Sequence, residues 1–189
     1  MRAVPPPRAT PAPTGSSAEG PFDERAQRWF DPWRMPALTV ERAREFLTAK
    51  RIAVVGVSRG ERDFSRAIFR ELSARGYDVV PVNPGAEQVE GRRCFPRLQN
   101  VRPAADAALL LTSREQTDAV LRDCVEAGIR RVWLHRGAGV GAASPGALAF
   151  CAANGLEVVH DLCPFMALPG AGFPHRVHRF FRTAGARRA

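Results

Sequence analysis

Lysine is nearly absent from this 189-residue chain: Lys50 is the only one among 28 basic residues, and the rest are arginine. Such a bias, beside abundant alanine, follows genome composition as readily as function. The net charge of +9 is therefore weak ground for nucleic-acid binding. Residues 1–50 carry 8 basic and 6 acidic groups, 51–165 carry 15 and 13, and 166–189 carry 5 and 0, so the excess sits in the C-terminal tail. Cysteine is scarce too. Cys94, Cys124, Cys151 and Cys163 form no CxxC and no Cys/His pair with metal-ligand spacing, and they read as reduced, mostly buried thiols of a cytoplasmic protein. No apolar run approaches the ~18 residues of a membrane span. The first twenty residues lack the apolar stretch of a secretory signal. They hold no acidic residue before Glu19, loosely as in a transit peptide, but their prolines oppose an amphipathic helix. Membrane and nucleic acid are not the expected partners.

What is present divides into three parts. Residues 1–36 hold 8 of the 16 prolines and read as a largely disordered extension, with Phe22, Trp29, Phe30 and Trp33 available to dock on the domain or on a partner. Residues 37–166 have the length and patterning of one domain. Residues 167–189 read as a basic tail in which Phe173, Val177, Phe180 and Phe181 recur at helical spacing, as in an amphipathic helix docking its aromatic face on the domain, with an anionic membrane, nucleic acid or a partner subunit as the alternatives.

Within the domain, VERAREFLTAK (40–50) suggests a helix. RIAVVGV (51–57), YDVVPVNP (77–84), ADAALLLT (105–112), RRVWLH (130–135) and LEVVH (156–160) read as buried strands. Helices fall between them. One carries Phe64, Ile68 and Leu72 and stops at Gly76. One carries Thr117, Val120, Leu121 and Cys124, opens on a Ser113–Gln116 capping box and stops at Gly128. One spans 147–154. The connection 92–102 is expected to hold one short helical turn. Alternating strands and helices imply an α/β fold, a single Rossmann-like doubly wound domain with a mainly parallel five-stranded sheet.

Ligands of such sheets lie beyond the carboxyl ends of the strands. Three segments fall there: 56–63, 82–85 and 111–114. The first reads Gly56-Val57-Ser58-Arg59-Gly60-Glu61-Arg62-Asp63. Small residues admit a ligand close to the backbone, the following helix start favours a phosphate, Ser58 adds a hydroxyl, and Arg59 and Arg62 add charge. The segment also matches the GxSxG nucleophile elbow. However, Asp106 lies at the wrong end of its strand, and Asp161 follows His160 directly, so no triad can be completed. An NAD site is the other alternative. GVSRGERD departs from GxGxxG, and the second strand ends in Asn83-Pro84 where a ribose-binding carboxylate belongs. A nucleotide with a phosphorylated ribose suits a site without that carboxylate.

The block from Ile52 to Leu98 resembles the opening of the small CoA-binding proteins of the succinyl-CoA synthetase α-subunit type. The shared features are the strand-Gly-x-Ser loop, GYDVVPVNP, and GRRCFPRL after it, followed later by RRVWLHRGAG and Cys163-Pro164. The resemblance covers about residues 40–166. It implies a lone Rossmann-like domain that binds coenzyme A or an acyl-CoA, with NAD(P) as the alternative cofactor. By position, Gly56, Val57, Ser58 and Arg59 would hold the pyrophosphate. Val82, Asn83 and Pro84 would border adenine and ribose, and Leu111, Thr112 and Ser113 would line the pantetheine side. Gly137 and Gly139 would form a loop over the cofactor. Gly85 stands where members often have a lysine or another polar residue, leaving Arg92 and Arg93 as candidates for the 3′-phosphate. Phe165 to Leu168 replace an acidic residue often found after Cys-Pro.

The predicted loops hold no paired carboxylates, nucleophile–base pair or metal cluster. The expectation is a CoA-dependent sensor or accessory protein. The competing readings are a ligase or transferase component completed by another chain, and an NAD(P)-binding regulator. A partner protein or a homodimer is compatible with each. His135, at the end of the fourth strand, reads as a structural histidine with a ligand contact as the alternative. Cys163 reads as a buried thiol rather than a partner for the CoA sulfhydryl.

Overall fold

The computed structural model of the chain describes residues 37–135 and 141–168. In chain order the elements are α1 (Ala37–Phe46), β1 (Arg51–Val55), α2 (Phe64–Ala74), β2 (Asp78–Val82), β3 (Gln88–Val89), β4 (Arg92–Arg93), a 3-10 turn at Leu98–Asn100, β5 (Ala107–Leu110), α3 (Arg114–Glu126), β6 (Arg131–Leu134), α4 (Pro145–Ala153), β7 (Glu157–His160) and α5 (Pro164–Ala167). The five long strands form one parallel sheet in the order β2-β1-β5-β6-β7. Numbered within the sheet this is 2-1-3-4-5, one of the two common doubly wound orders. The chain reverses direction across the sheet between β1 and β5, so the switch point lies there.

The hydrophobic runs explain the placement of the strands. β1 and β5 are central, and the last four residues of β1 and all four of β5 are buried. Strands covered on both faces read as continuous apolar runs, as here. β2 contains Pro81, which has no N–H to give a ladder, and it takes an edge position. Its outer edge is partly covered. Phe95 donates its backbone N–H to the Pro81 carbonyl (3.0 Å), and Arg92 Nη1 donates to the Val79 carbonyl (3.0 Å).

Each face of the sheet has its own core. Ile52, Val54, Leu109 and Trp133 pack with Ile68, Phe69 and Leu72 of α2 and with Ala43 and Phe46 of α1. Ala53, Val55, Leu110, Val132 and Leu134 pack with Leu121 and Cys124 of α3 and with Ala147 and Cys151 of α4. Burial of each large apolar side chain contributes about 1.5–3 kcal/mol. Trp133 anchors the first face. Its ring meets Phe46 edge-on at 5.2 Å and 86°, and its Nε1–H donates to the Leu162 carbonyl at 2.9 Å. Among the described residues no helix is long and apolar enough to cross a membrane.

The five strands lie where the alternation put them, each shorter at one or both ends. The helix expected over 40–50 runs instead over Ala37–Phe46. The helical turn expected within 92–102 is present at Leu98–Asn100. The small antiparallel β3–β4 hairpin and α5 were not foreseen. The capping box is also absent. Ser113 is the N-cap residue of α3, but its side chain caps no helix N–H. The neighbouring Glu115 carboxylate takes the Ser113 hydroxyl, and that hydrogen bond is the main cause holding Glu115 below the usual carboxylate range. The expectations for residues 1–36, for Gly137 and Gly139, and for the tail beyond 168 lie outside the described residues.

Replacing Trp133 by Phe removes the indole N–H from a buried carbonyl and opens a void. Urea denaturation is expected to show a loss of about 2–3 kcal/mol. An unchanged midpoint would show that this hydrogen bond does not hold β6 to the segment after β7.

Candidate functional site

Two strand ends approach each other closely at the switch point. Gly56 follows β1 with φ of +86°, and a Cβ built there would lie 3.0 Å from the Leu111 carbonyl oxygen and 3.3 Å from Thr112 Cγ2. Only glycine satisfies both the left-handed backbone and this contact. The Gly56 N–H donates to the Val82 carbonyl (2.9 Å), and the Leu111 N–H donates to the Val55 carbonyl (2.8 Å). These bonds carry the ladder past the ends of β1, β2 and β5. The structure thus brings 56–58, 82–84 and 111–113 together at one sheet edge.

Side chains then fix the first loop. Asp63 is the N-cap of α2 and accepts from the Ser65 N–H (2.8 Å) and the Ser65 hydroxyl (2.6 Å), while Ser65 Oγ accepts the Ser58 N–H (2.8 Å). Ser58 Oγ accepts the Gly60 N–H at 3.0 Å. Asn83 ties the second segment to the first: its Nδ2 donates to the Val57 carbonyl (2.7 Å), and its Oδ1 accepts the Gly85 N–H (2.8 Å). Val57 and Val82 are buried core residues, so any contact they make is through the backbone. Pro84, Arg59 and Ser113 are exposed. Thr112 Oγ1 lies 3.0 Å from Thr117 Oγ1, which donates to the Ser113 carbonyl (2.9 Å).

This arrangement refines the reading of the phosphate donors. The α2 terminus and the Ser58 N–H are already engaged within the protein, because Asp63 and Ser65 take them. Side-chain donors that can still meet an anion are the Ser58 hydroxyl hydrogen and the exposed guanidinium groups of Arg59 and Arg62. The Asp63 cap was not foreseen, since the α2 start was expected to meet a phosphate; an Asp just before a helical stripe is the signal that would have found it. The Asn83 bridge has no such local signal, since it joins residues 26 positions apart.

The other polar groups divide by burial. Arg66 and Arg70 both meet the Glu90 carboxylate at 2.7 Å, pinning the β3–β4 hairpin to α2, and the Arg70 bond chiefly holds Glu90 below the usual carboxylate range. Asp106 accepts the Lys50 and Arg51 N–H groups at the opposite edge of the sheet. All four cysteines are free. Burial pushes the Cys124 thiol up to about 12, that of Cys151 to about 11, and those of Cys94 and Cys163 upward, so none is a ready thiolate. His135 is nine-tenths buried at the end of β6, stacked flat on Phe64 (4.7 Å, 11°), and burial lowers its pKa to about 4.

Two outcomes are expected from this geometry. Gly56→Ala should lower stability by about 1–3 kcal/mol through backbone strain and the Leu111 contact, read by thermal or urea unfolding. His135 stays neutral in the fold while an unfolded histidine takes a proton near 6.5, so the unfolded state binds more protons between about pH 6.5 and 4. The stability present above that window should fall on acidification through it, by up to about 1.4 kcal/mol per pH unit. His135→Phe should flatten that slope, and an identical slope in the variant would contradict the buried neutral state.

Comparison with known proteins agrees with this architecture. The profile of the CoA-binding domain family matches residues 50–169. The uncharacterized protein YneT of Bacillus subtilis is 26% identical over 115 residues, covering 61% of this chain and 82% of that protein. An ADP-forming acetate–CoA ligase II of Archaeoglobus fulgidus is 27% identical over 96 residues, 49% of this chain. The matched stretch is only 14% of the ligase's own length. Among solved structures, a hypothetical protein from Pyrococcus horikoshii superposes with a TM-score of 0.63 at 30% identity, covering 71% of this chain and 94% of that one. With a family match across most of the doubly wound domain, the chain belongs to the CoA-binding domain family.

Proposed function

We propose that this protein binds coenzyme A or an acyl-CoA at the carboxyl edge of its sheet and acts as a sensor or accessory protein rather than by catalysing a reaction alone. The observation that carries the reading is the close approach of Gly56 to Leu111, where a Cβ would intrude. It holds the ends of β1 and β5 against each other at the switch point, beside the Ser58 hydroxyl and the exposed Arg59. Gly56, Val57, Ser58 and Arg59 hold the pyrophosphate, with Ser58 and Arg59 giving side-chain donors. Val82, Asn83 and Pro84 border the adenosine, with Asn83 fixing the loop geometry rather than reading the base. Leu111, Thr112 and Ser113 line the path of the pantetheine arm. The absence of a carboxylate at Asn83-Pro84 favours CoA over NAD(P).

Bound CoA would supply a thiol or thioester. The chain's own residues bind and orient that group. The described residues contain no group of three or more His, Cys, Asp or Glu side chains able to hold a metal ion. A cytoplasmic setting suits the four free cysteines. A second reading, a ligase component completed by a partner chain, is favoured by the match to a small part of acetate–CoA ligases. Acyl-CoA turnover by the purified protein with a partner present, and not without it, would select that reading.

Parallel calorimetric titrations with CoA, acetyl-CoA, NAD and NADP test the proposal. CoA should bind at least tenfold more tightly than NAD or NADP. Arg59→Ala should weaken CoA binding about tenfold, as expected for one charge-assisted phosphate contact, with unfolding unchanged. NAD binding with CoA silent would overturn the cofactor assignment.

A further inference from the structure

His135 stands apart from the other buried polar groups. It is 8% exposed, and its Nδ1 has no hydrogen-bond partner among the described residues. Buried polar atoms are almost always paired, and an unpaired one lowers stability. A histidine kept only for packing would satisfy its ring nitrogens or be replaced by an aromatic hydrocarbon. The face-to-face stack on Phe64 occupies a face of the imidazole and leaves both nitrogens at the ring's edge. Phe64 meets Phe165 edge-on at 5.6 Å, so an aromatic wall runs between the start of α2 and the segment after β7.

The location adds direction. His135 continues β6, and its backbone N–H donates to the Leu110 carbonyl at 3.0 Å. It therefore sits beside the end of β5 and on the same edge as Gly56. β6 is two strands from β1, about 10 Å at the usual strand spacing. A ligand anchored by phosphates on the first loop, with its arm crossing the end of β5, arrives next at His135.

We infer that the His135 imidazole hydrogen-bonds an amide of the pantetheine arm, distinguishing the full CoA molecule from its nucleotide half. This rests on the CoA reading above. An amide presents an N–H and a C=O side by side, so it can satisfy Nδ1 in either tautomer of the neutral ring. The depressed pKa, caused by burial, keeps the ring neutral at pH 7 and so able to accept as well as donate. The Phe64 stack fixes the plane in which the nitrogens are offered.

The test compares CoA with adenosine 3′,5′-bisphosphate, which lacks the arm, on the full chain. His135→Phe keeps an aromatic ring against Phe64 and should bind CoA about tenfold more weakly, with the bisphosphate within twofold of wild type. His135→Gln, which restores an amide donor and acceptor, should recover part of the loss. Nitrogen NMR of the labelled wild-type imidazole needs no variant, and its Nδ1 resonance should shift with CoA and not with the bisphosphate. Unchanged CoA affinity in the Phe variant, equal loss for both ligands, or an Nδ1 resonance indifferent to CoA would each overturn the role of His135. Failure of the wild type to bind CoA would instead overturn the reading on which it rests.

Discussion

The close contact between Gly56 and the Leu111 carbonyl is the constraint on which the rest of the site depends. It brings the ends of β1 and β5 together where the sheet order reverses. The left-handed turn at Gly56 directs the chain into the loop that Asp63, Ser65 and Asn83 then fix. Each of these polar side chains satisfies backbone groups that an irregular segment would otherwise leave unpaired. The loop is shaped before any ligand arrives, so binding need not order it.

Charge is arranged with the same economy. The anionic Asp63 sits at the α2 terminus and takes the Ser65 N–H, so in the proposed CoA reading the phosphates meet the Ser58 hydroxyl and the exposed arginines instead. The buried Arg66 does not join them, because Glu90 holds it against the β3–β4 hairpin. Neutral aromatic groups lie further along the same sheet edge, where His135 stacks on Phe64 and Phe64 meets Phe165 edge-on. A ligand with phosphates at one end and an uncharged arm at the other matches this polarity.

Much of the fold was legible because parallel strands buried on both faces leave uninterrupted apolar runs, as in Ile52–Val55 and Ala107–Leu110. The segments that meet at the candidate site were legible where they depend on sequence-local chemistry, a small-residue loop after β1 and Asn83-Pro84 after β2. What escaped was non-local or too short. The β3–β4 hairpin has two residues per strand and no periodicity to read. The Asn83–Val57 bridge and the Phe64–His135 stack join residues far apart in the chain. The Ser113 hydroxyl donates to the Glu115 carboxylate and accepts from no helix N–H, so the expected cap is not made.

Hydrogen exchange of the full chain with and without saturating CoA tests the central claim most directly. Slower exchange at 56–63, 82–86 and 111–117, with the opposite edge at 104–106 unaffected, is the expected result. Protection at that opposite edge, or no protection anywhere, would contradict a CoA site at the switch point.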